Sequence, residues 1–130
     1  MTTKAFASSA DLGEKVQTLE VLANGVYALT AEGDPNIGAI EGEDFVVCFE
    51  ALATPVAARQ WLAKLREHTD KPVKYLILSH YHAVRTLGAS AYDAEVVIAH
   101  DKLVNRCLPF ETFAGVVYVL FKSEKAKWAA

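Results

Sequence analysis

Apolar and polar residues alternate along the first part of the chain, in short runs typical of β-strands. These runs are Val16 to Leu22, Val26 to Thr30, Ile37 to Ile40 and Phe45 to Phe49. Asn24-Gly25 separates the first two runs and suits a tight hairpin turn, because both residues tolerate positive φ. Polar breaks at 32–36 and 41–44 separate the others. The pattern predicts a β-meander made of two hairpins in series.

The period of the pattern changes at Thr54-Pro55, a typical helix start with threonine as the N-cap and proline in the first turn. Apolar residues then recur at helical spacing, namely at Ala58, Trp61, Leu62 and Leu65. We expect the helix to run to about His68 and to end at the break Asp70-Lys71-Pro72. His68 is then a solvated residue of the last turn that complements the helix dipole.

Further strands and helices alternate after this helix. Val73 to Leu78 is almost continuously apolar and predicts a strand buried on both faces, and Glu95 to Ala99 predicts another buried strand. Thr86 to Tyr92 and His100 to Leu108 predict helices, and an apolar run, Phe113 to Phe121, follows. The order indicates an α/β (α+β) fold: a mixed sheet with antiparallel N-terminal hairpins, followed by β-α-β units with helices packed on it.

Composition favours a single cytoplasmic domain. The chain has 130 residues, of which 52% are hydrophobic, and this is enough apolar material for a core. A net charge of −3 with scattered basic residues favours neither a nucleic acid nor a membrane as partner. Residues 1–15, expected to be flexible, contain no secretory signal. Cys48 and Cys107 lack CxxC spacing and are interpreted as reduced thiols, with a disulfide as the less favoured alternative.

The candidate chemistry lies in LILSHYHAVR, at the end of the strand predicted from Val73. His80 and His82 occupy positions i and i+2 of an extended segment, so both imidazoles can reach one cation. Neutral imidazole suits zinc, and also iron or manganese when carboxylates join it. A zinc site needs a third protein ligand, however, and the alternative is that both histidines cap the strand and bond to loop backbone. Ligands of such sheets gather at this carboxyl edge.

With its surroundings, this segment resembles the N-terminal half of the metallo-β-lactamase fold. The resemblance covers GVYALTAEGDPNIGAIEGEDFVVCFEALATP, the helix after it and KPVKYLILSHYHAVRTLGASAY, and in element order it runs from about Val16 to Ala99. It implies an αββα half-sandwich and metal-dependent hydrolysis of a small-molecule substrate. The implied cofactor is zinc, iron or manganese, which lowers the pKa of a bound water to about 7.

The strand-end motif of the family is HxHxDH, and this chain departs from its second half. His80 and His82 match the two histidines that bind the first metal. The aspartate of the motif falls on Val84, which has no donor atom, and its last histidine falls on Arg85, which stays protonated. The resemblance therefore implies one metal per chain or none. Glu50, where many relatives carry an aspartate, is expected to be a solvated carboxylate at a strand end.

The resemblance stops after about His100, whereas family members are longer and take their remaining ligands from a C-terminal half. We therefore expect a truncated or frameshifted form of a longer hydrolase, with residues 16–108 as the half domain and residues 109–130 as a divergent strand and charged tail. Half of such a sandwich exposes an apolar sheet face, which can support homodimerisation. Phe113 to Phe121 is a candidate substitute strand that covers this face.

Residues elsewhere could complete the site. The candidates for a third ligand are Asp34, His100, Asp101, Cys107 and Glu111, each of which also suits an ordinary role as a turn residue, cap, core thiol or surface carboxylate. Arg85 and Asp34 are the candidates for substrate binding. The guanidinium of Arg85 could bind a carboxylate or phosphate group, and the alternative is a salt bridge to a nearby acidic residue.

Two other classes of function compete with the hydrolase. The first is a non-catalytic interaction domain that dimerises through its uncovered sheet and keeps the histidines as relics. The second is a small-molecule binder that uses Arg85 and the loop around Asp34 without a metal. A metal-dependent enzyme should lose thermal stability with a chelator, because a ligand of the native state stabilises it by mass action. A dimer should instead show stability that depends on protein concentration.

Overall fold

The computed structural model describes residues 16–31, 36–79, 82–100 and 117–121. These residues contain one sheet whose seven strands lie side by side in chain order. The strands are β1 (Gln17–Ala23), β2 (Val26–Ala31), β3 (Ile37–Glu41), β4 (Val46–Phe49), β5 (Val73–Ile77), β6 (Val96–His100) and β7 (Val117–Phe121). The helices are α1 (Pro55–Leu65), α2 (Ala83–Thr86) and a 3-10 helix (Ala89–Tyr92). In this part of the chain no helix has the length and apolar character needed to cross a membrane.

The direction of the strands confirms the predicted mixed sheet. Strands β1 to β4 pair antiparallel as a meander, and β4 to β7 pair parallel. Gly25 takes a φ of 72° in the first hairpin turn, a backbone conformation that glycine adopts without steric cost. Helix α1 connects β4 to β5, and α2 with the 3-10 helix connects β5 to β6. The carboxyl ends of β4, β5 and β6 therefore meet at one edge of the sheet.

The hydrophobic core lies on one face of the sheet. Cys48, Leu76 and Val97 are paired neighbours on β4, β5 and β6, and all three are buried on this face. Helix α1 covers them with Ala58, Trp61 and Leu65, all of which are also fully buried. The predicted apolar face of the helix is thus confirmed, although the helix ends at Leu65 and His68 follows it, exposed, with its ring 5.3 Å from that of Tyr27.

The second face of the sheet is only half-buried. Val47, Tyr75 and Val96 are paired neighbours on this face, and each keeps intermediate exposure. The prediction that β5 and β6 are buried on both faces is therefore wrong for the described residues. The physical reason is that α1 and the 3-10 helix pack on the first face. Their buried residues belong to the same core as those of β4, β5 and β6, so these helices do not cover the second face.

Two elements after β5 differ from the predictions. The helix predicted from Thr86 to Tyr92 is divided at Gly88, whose N–H donates to the carbonyl of Leu52 at 3.0 Å. His100 belongs to β6, and the rest of the helix predicted there lies outside the described residues. The predicted apolar strand exists over residues 117–121 as β7, but it extends the sheet beside β6 instead of covering a face.

The start of α1 provides a first test of the fold. Thr54 has extended backbone angles, and its hydroxyl oxygen accepts the N–H of Ala57 at 3.1 Å. We expect Thr54→Ala to lower the free energy of unfolding by about 1 kcal/mol, because this N–H then loses its partner. Urea denaturation measures the change. Thr54→Ser keeps the hydroxyl and should retain most of the stability, so an equal loss in both variants would contradict the capping role.

Candidate functional site

The segment that follows β5 carries the predicted metal ligands. His82 is exposed and immediately precedes α2, and its carbonyl oxygen accepts the N–H of Arg85 at 2.9 Å and the hydroxyl of Thr86 at 3.3 Å. These bonds fix the backbone of His82 at the start of the helix. His80 lies outside the described residues, so the structure places one member of the predicted pair.

Glu50 follows β4 directly, at the same carboxyl edge. Its backbone has a φ of 65°, in the left-handed region that costs a residue with a side chain about 1 kcal/mol or more. The N–H of Glu50 donates to Ile77 at 2.9 Å, and its carbonyl oxygen accepts the hydroxyl of Tyr92 at 3.0 Å. Packing and hydrogen bonds from two neighbouring elements therefore hold the strained conformation in place.

The carboxylate of Glu50 is buried, with 7% of the residue exposed. Its Oε1 accepts the N–H of Ser79 at 2.9 Å, and its Oε2 lies 3.9 Å from Nη1 of Arg85. Oε2 has no hydrogen-bond partner among the described residues. The expectation of a solvated carboxylate is therefore wrong, because the parallel pairing of β4 and β5 brings Glu50 next to Ser79 at the end of β5.

Arg85 lies on α2, and its side chain is 30% exposed. Its carbonyl oxygen accepts the N–H of Ala51 at 2.7 Å, which ties α2 to the turn after β4. The structure thus shows the salt bridge that the sequence offered as one alternative, with Glu50 as the acidic partner. The substrate-binding role of Arg85 stays a prediction, and Asp34 lies outside the described residues.

The structure places few of the candidates for a third ligand. His100 ends β6 and is half-buried, whereas Asp101, Cys107 and Glu111 lie outside the described residues. Within the described ranges, no group of three or more histidine, cysteine, aspartate or glutamate side chains could hold a metal ion. Cys48 is a free thiol, and burial raises its pKa to about 12. This shift disfavours the thiolate form that binds metal ions.

Sequence reasoning missed two participants in this site. Ser79 supplies the backbone N–H that binds Glu50, and Tyr92 supplies the hydroxyl that holds its carbonyl. A backbone donor leaves no signal in the sequence. Tyr92 does leave one, because it is a large polar aromatic in an otherwise small-residue stretch, GASAY. Buried tyrosines usually find a hydrogen-bond partner, so its side chain could have been assigned to the interior.

Comparison with known proteins gives one match in sequence to a curated protein. No protein-family model matches the chain. The 2,4-dinitroanisole O-demethylase subunit alpha of Nocardioides sp. (strain JS1661) is 34% identical over 91 residues, which are 68% of this chain and 27% of that protein. The chain therefore spans about a quarter of the length of this curated relative.

Solved structures match between 68% and 83% of the chain. The stereoselective inverting sec-alkylsulfatase Pisa1 from Pseudomonas sp. matches with a TM-score of 0.64 and 23% identity, over 77% of this chain and 17% of that one. A metallo-β-lactamase from Pseudomonas aeruginosa in its mono-zinc form matches with a TM-score of 0.64 and 17% identity, over 83% and 52%. A metallo-β-lactamase from Hirschia baltica matches with a TM-score of 0.59 and 20% identity, over 68% and 45%. Likeness at these identities concerns the fold.

Proposed function

Because the chain has the fold of one part of a metallo-β-lactamase, we propose that it forms the metal-binding edge of a metal-dependent hydrolase. One observation carries the proposal. The segment with the two histidines leaves β5 at the carboxyl edge of parallel strands, and the buried carboxylate of Glu50 holds it there through Ser79. Ligand sites of such sheets form at this edge.

This segment would supply two ligands of one metal ion, and a zinc site would need a third from elsewhere. His80 and His82 would hold the ion through neutral imidazole nitrogens, which suit zinc, iron or manganese. When bound, the ion would polarise a substrate oxygen and lower the pKa of a bound water to about 7. A second ion does not fit. Val84 has no donor atom, and Arg85 places a permanent positive charge 3.9 Å from the Glu50 carboxylate.

The remaining residues of the site would bind and orient a small-molecule substrate. Arg85 would contact an anionic group of the substrate, and Asp34 would border the site from the loop between β2 and β3. The similar proteins are an O-demethylase, a sec-alkylsulfatase and metallo-β-lactamases. Their names indicate reactions at different kinds of chemical bond. The fold alone therefore does not select the bond that is cleaved.

The first test is the metal content of protein purified without a histidine tag or added metal. We expect elemental mass spectrometry to find a stoichiometric ion that is lost in the His80→Ala/His82→Ala variant. His68→Ala is the matched control, because this exposed histidine follows α1 and its ring lies tilted against that of Tyr27. Wild-type protein without metal, or metal that survives the double substitution, would contradict the proposal.

The half-buried second face of the sheet supports a different proposal, a dimerising interaction domain. Val47, Tyr75 and Val96 form an apolar strip across three strands, with intermediate exposure. Apolar surface that is only partly covered can take part in association. The oligomeric state, measured by sedimentation of the protein with and without bound metal, separates the two proposals. A dimer that persists without metal and with both histidines replaced would favour the interaction domain.

A further inference from the structure

We infer that Glu50 is a positioning residue that joins both ends of the segment 79–85 and presents Arg85 to an oxyanion. The oxyanion would be a carboxylate, sulfate or phosphate group of the substrate. The inference rests on the proposed function for the place of the site and for the anionic ligand of Arg85, and it adds the positioning role of Glu50. Glu50 acts through Arg85 and does not itself contact the ligand.

The first step is the double attachment made by one buried carboxylate. Oε1 accepts the N–H of Ser79, where the segment leaves β5, and Oε2 faces Arg85, where the segment enters α2. The backbone adds a second attachment at the same end, because the N–H of Ala51 donates to the carbonyl of Arg85 at 2.7 Å. His82, at the start of α2, lies between these two fixed ends. The position of Arg85 relative to the end of β5 therefore depends on Glu50.

The second step is that Glu50 is itself rigid. Its φ of 65° is rare for a residue with a side chain, and Leu52, two residues later, has the same φ. The hydroxyl of Tyr92 donates to the Glu50 carbonyl from the buried side. Such outliers persist only where the surroundings hold them, and they cluster at ligand sites. The turn therefore places the Glu50 carboxylate at the edge of the sheet while Ala51 and Leu52 complete the core.

The third step is the unused binding capacity of Arg85. The distance of 3.9 Å to Oε2 is beyond hydrogen-bond range, so Glu50 attracts the guanidinium without accepting its N–H groups. Among the described residues, no other acidic side chain forms an ion pair with Arg85. Within the described ranges, the N–H fork of Arg85 thus has no acidic acceptor at hydrogen-bond distance, and its side chain is 30% exposed. This fork matches the paired oxygens of carboxylate, sulfate and phosphate groups.

The test is the affinity of the full chain for inorganic phosphate, sulfate and acetate, measured by calorimetry at low ionic strength. We expect all three anions to compete for one position, and Arg85→Met to weaken phosphate binding about tenfold, since a hydrogen bond to a charged group is worth about 1.4 kcal/mol or more. Arg85→Lys keeps the charge but loses the fork, and it should also bind more weakly than wild type. Because Arg85→Lys keeps a positive charge beside Glu50 at a partly exposed position, this variant should leave the fold intact.

Glu50→Gln gives a result whose sign is diagnostic. This variant keeps an oxygen that can accept the Ser79 N–H, but it removes a negative charge next to Arg85. If Glu50 only competed with the anion, its neutralisation would tighten phosphate binding. If Glu50 positions Arg85, binding weakens. Glu67→Gln, at an exposed position after α1, is the matched control for the loss of one charge.

The outcomes separate this inference from the proposed function. Weaker phosphate binding in Glu50→Gln than in Glu67→Gln supports the inference. Unchanged or tighter binding in Glu50→Gln overturns it, as does wild-type protein that binds none of the three anions. Metal content is measured independently on the same samples. Protein that binds phosphate through Arg85 but never holds metal would contradict the proposed hydrolase and leave the anion site standing.

Discussion

Replacing Gly88 with alanine is expected to lower the free energy of unfolding by about 3 kcal/mol, at the upper end of the cost of overpacking. A Cβ atom at this position would lie 2.0 Å from the carbonyl oxygen of Ala51 and 2.9 Å from that of Thr54. Both obstacles are backbone atoms, so no side-chain rotation relieves the overlap. The turn after β4 and the start of the 3-10 helix would have to separate.

This separation should reach the candidate site as well as the stability. The N–H of Gly88 donates to Leu52, and the N–H of Ala51 donates to Arg85, so the same contact holds α2 against the turn that carries Glu50. Urea denaturation measures the free energy of unfolding, and calorimetry measures the affinity for phosphate at the proposed anion site. We expect Gly88→Ala to lower both the free energy of unfolding and the affinity for phosphate.

Gly42→Ala is the matched control for this substitution. It adds the same methyl group in the exposed turn between β3 and β4, where the nearest obstacle is the Phe45 carbonyl oxygen at 3.3 Å. A shift of a few tenths of an ångström relieves that contact, so the loss should be much smaller. Equal losses in the two variants would show that Gly88 is not the close-packed contact described above.

The strands and α1 could be predicted from the sequence because their signals are local. Alternation of apolar and polar residues identified β1 to β4, and Thr54-Pro55 identified the start of α1. The chain order of strands and helices then indicated the mixed sheet. Each of these inferences depends on residues within a few positions of one another, where periodicity and capping preferences apply directly.

The environment of Glu50 could not be predicted, because it depends on contacts between residues far apart in the chain. Nothing near Glu50 in the sequence indicates a left-handed turn, and a lone carboxylate after a strand is usually solvated. Its burial follows from the pairing of β4 with β5 and from Tyr92, 42 positions away. The same argument explains Gly88, whose close contact with Ala51 requires two loops to meet.

The prediction from the sequence also overestimated the burial of the second face of the sheet. A continuous apolar strand such as Val73–Ile77 is typical of a sheet covered on both faces. In the described part of the chain, Tyr75 and Ile77 are only half-buried. An apolar sequence shows which residues favour burial, but the element that covers them is set by the tertiary fold. The position of β7 beside β6, rather than over a face, has the same explanation.

Trp61→Ala is expected to lower the free energy of unfolding by about 3 to 5 kcal/mol, the usual cost of removing a large aromatic side chain from a core. Trp61 is fully buried between α1 and the first face of the sheet. Domains of ordinary stability have a total of about 5 to 15 kcal/mol, so this loss is a large fraction of it. Urea denaturation followed by circular dichroism measures the change.

Packing, rather than hydrogen bonding, should account for the loss in Trp61→Ala. The indole N–H of Trp61 makes no hydrogen bond of good geometry among the described residues, although it acts on the pKa of the Tyr92 hydroxyl in the lowering direction, against the larger effect of burial. Trp61→Phe keeps an aromatic ring in the same place and should therefore cost much less. An equally large loss in the phenylalanine variant would contradict this account and point to a polar role for the indole. Helix α1 also packs on the 3-10 helix that carries Tyr92. Trp61→Ala should therefore loosen the turn at Glu50 through lost packing, whereas Arg85→Met should weaken anion binding and destabilise the same turn because the buried Glu50 carboxylate loses its ion-pair partner.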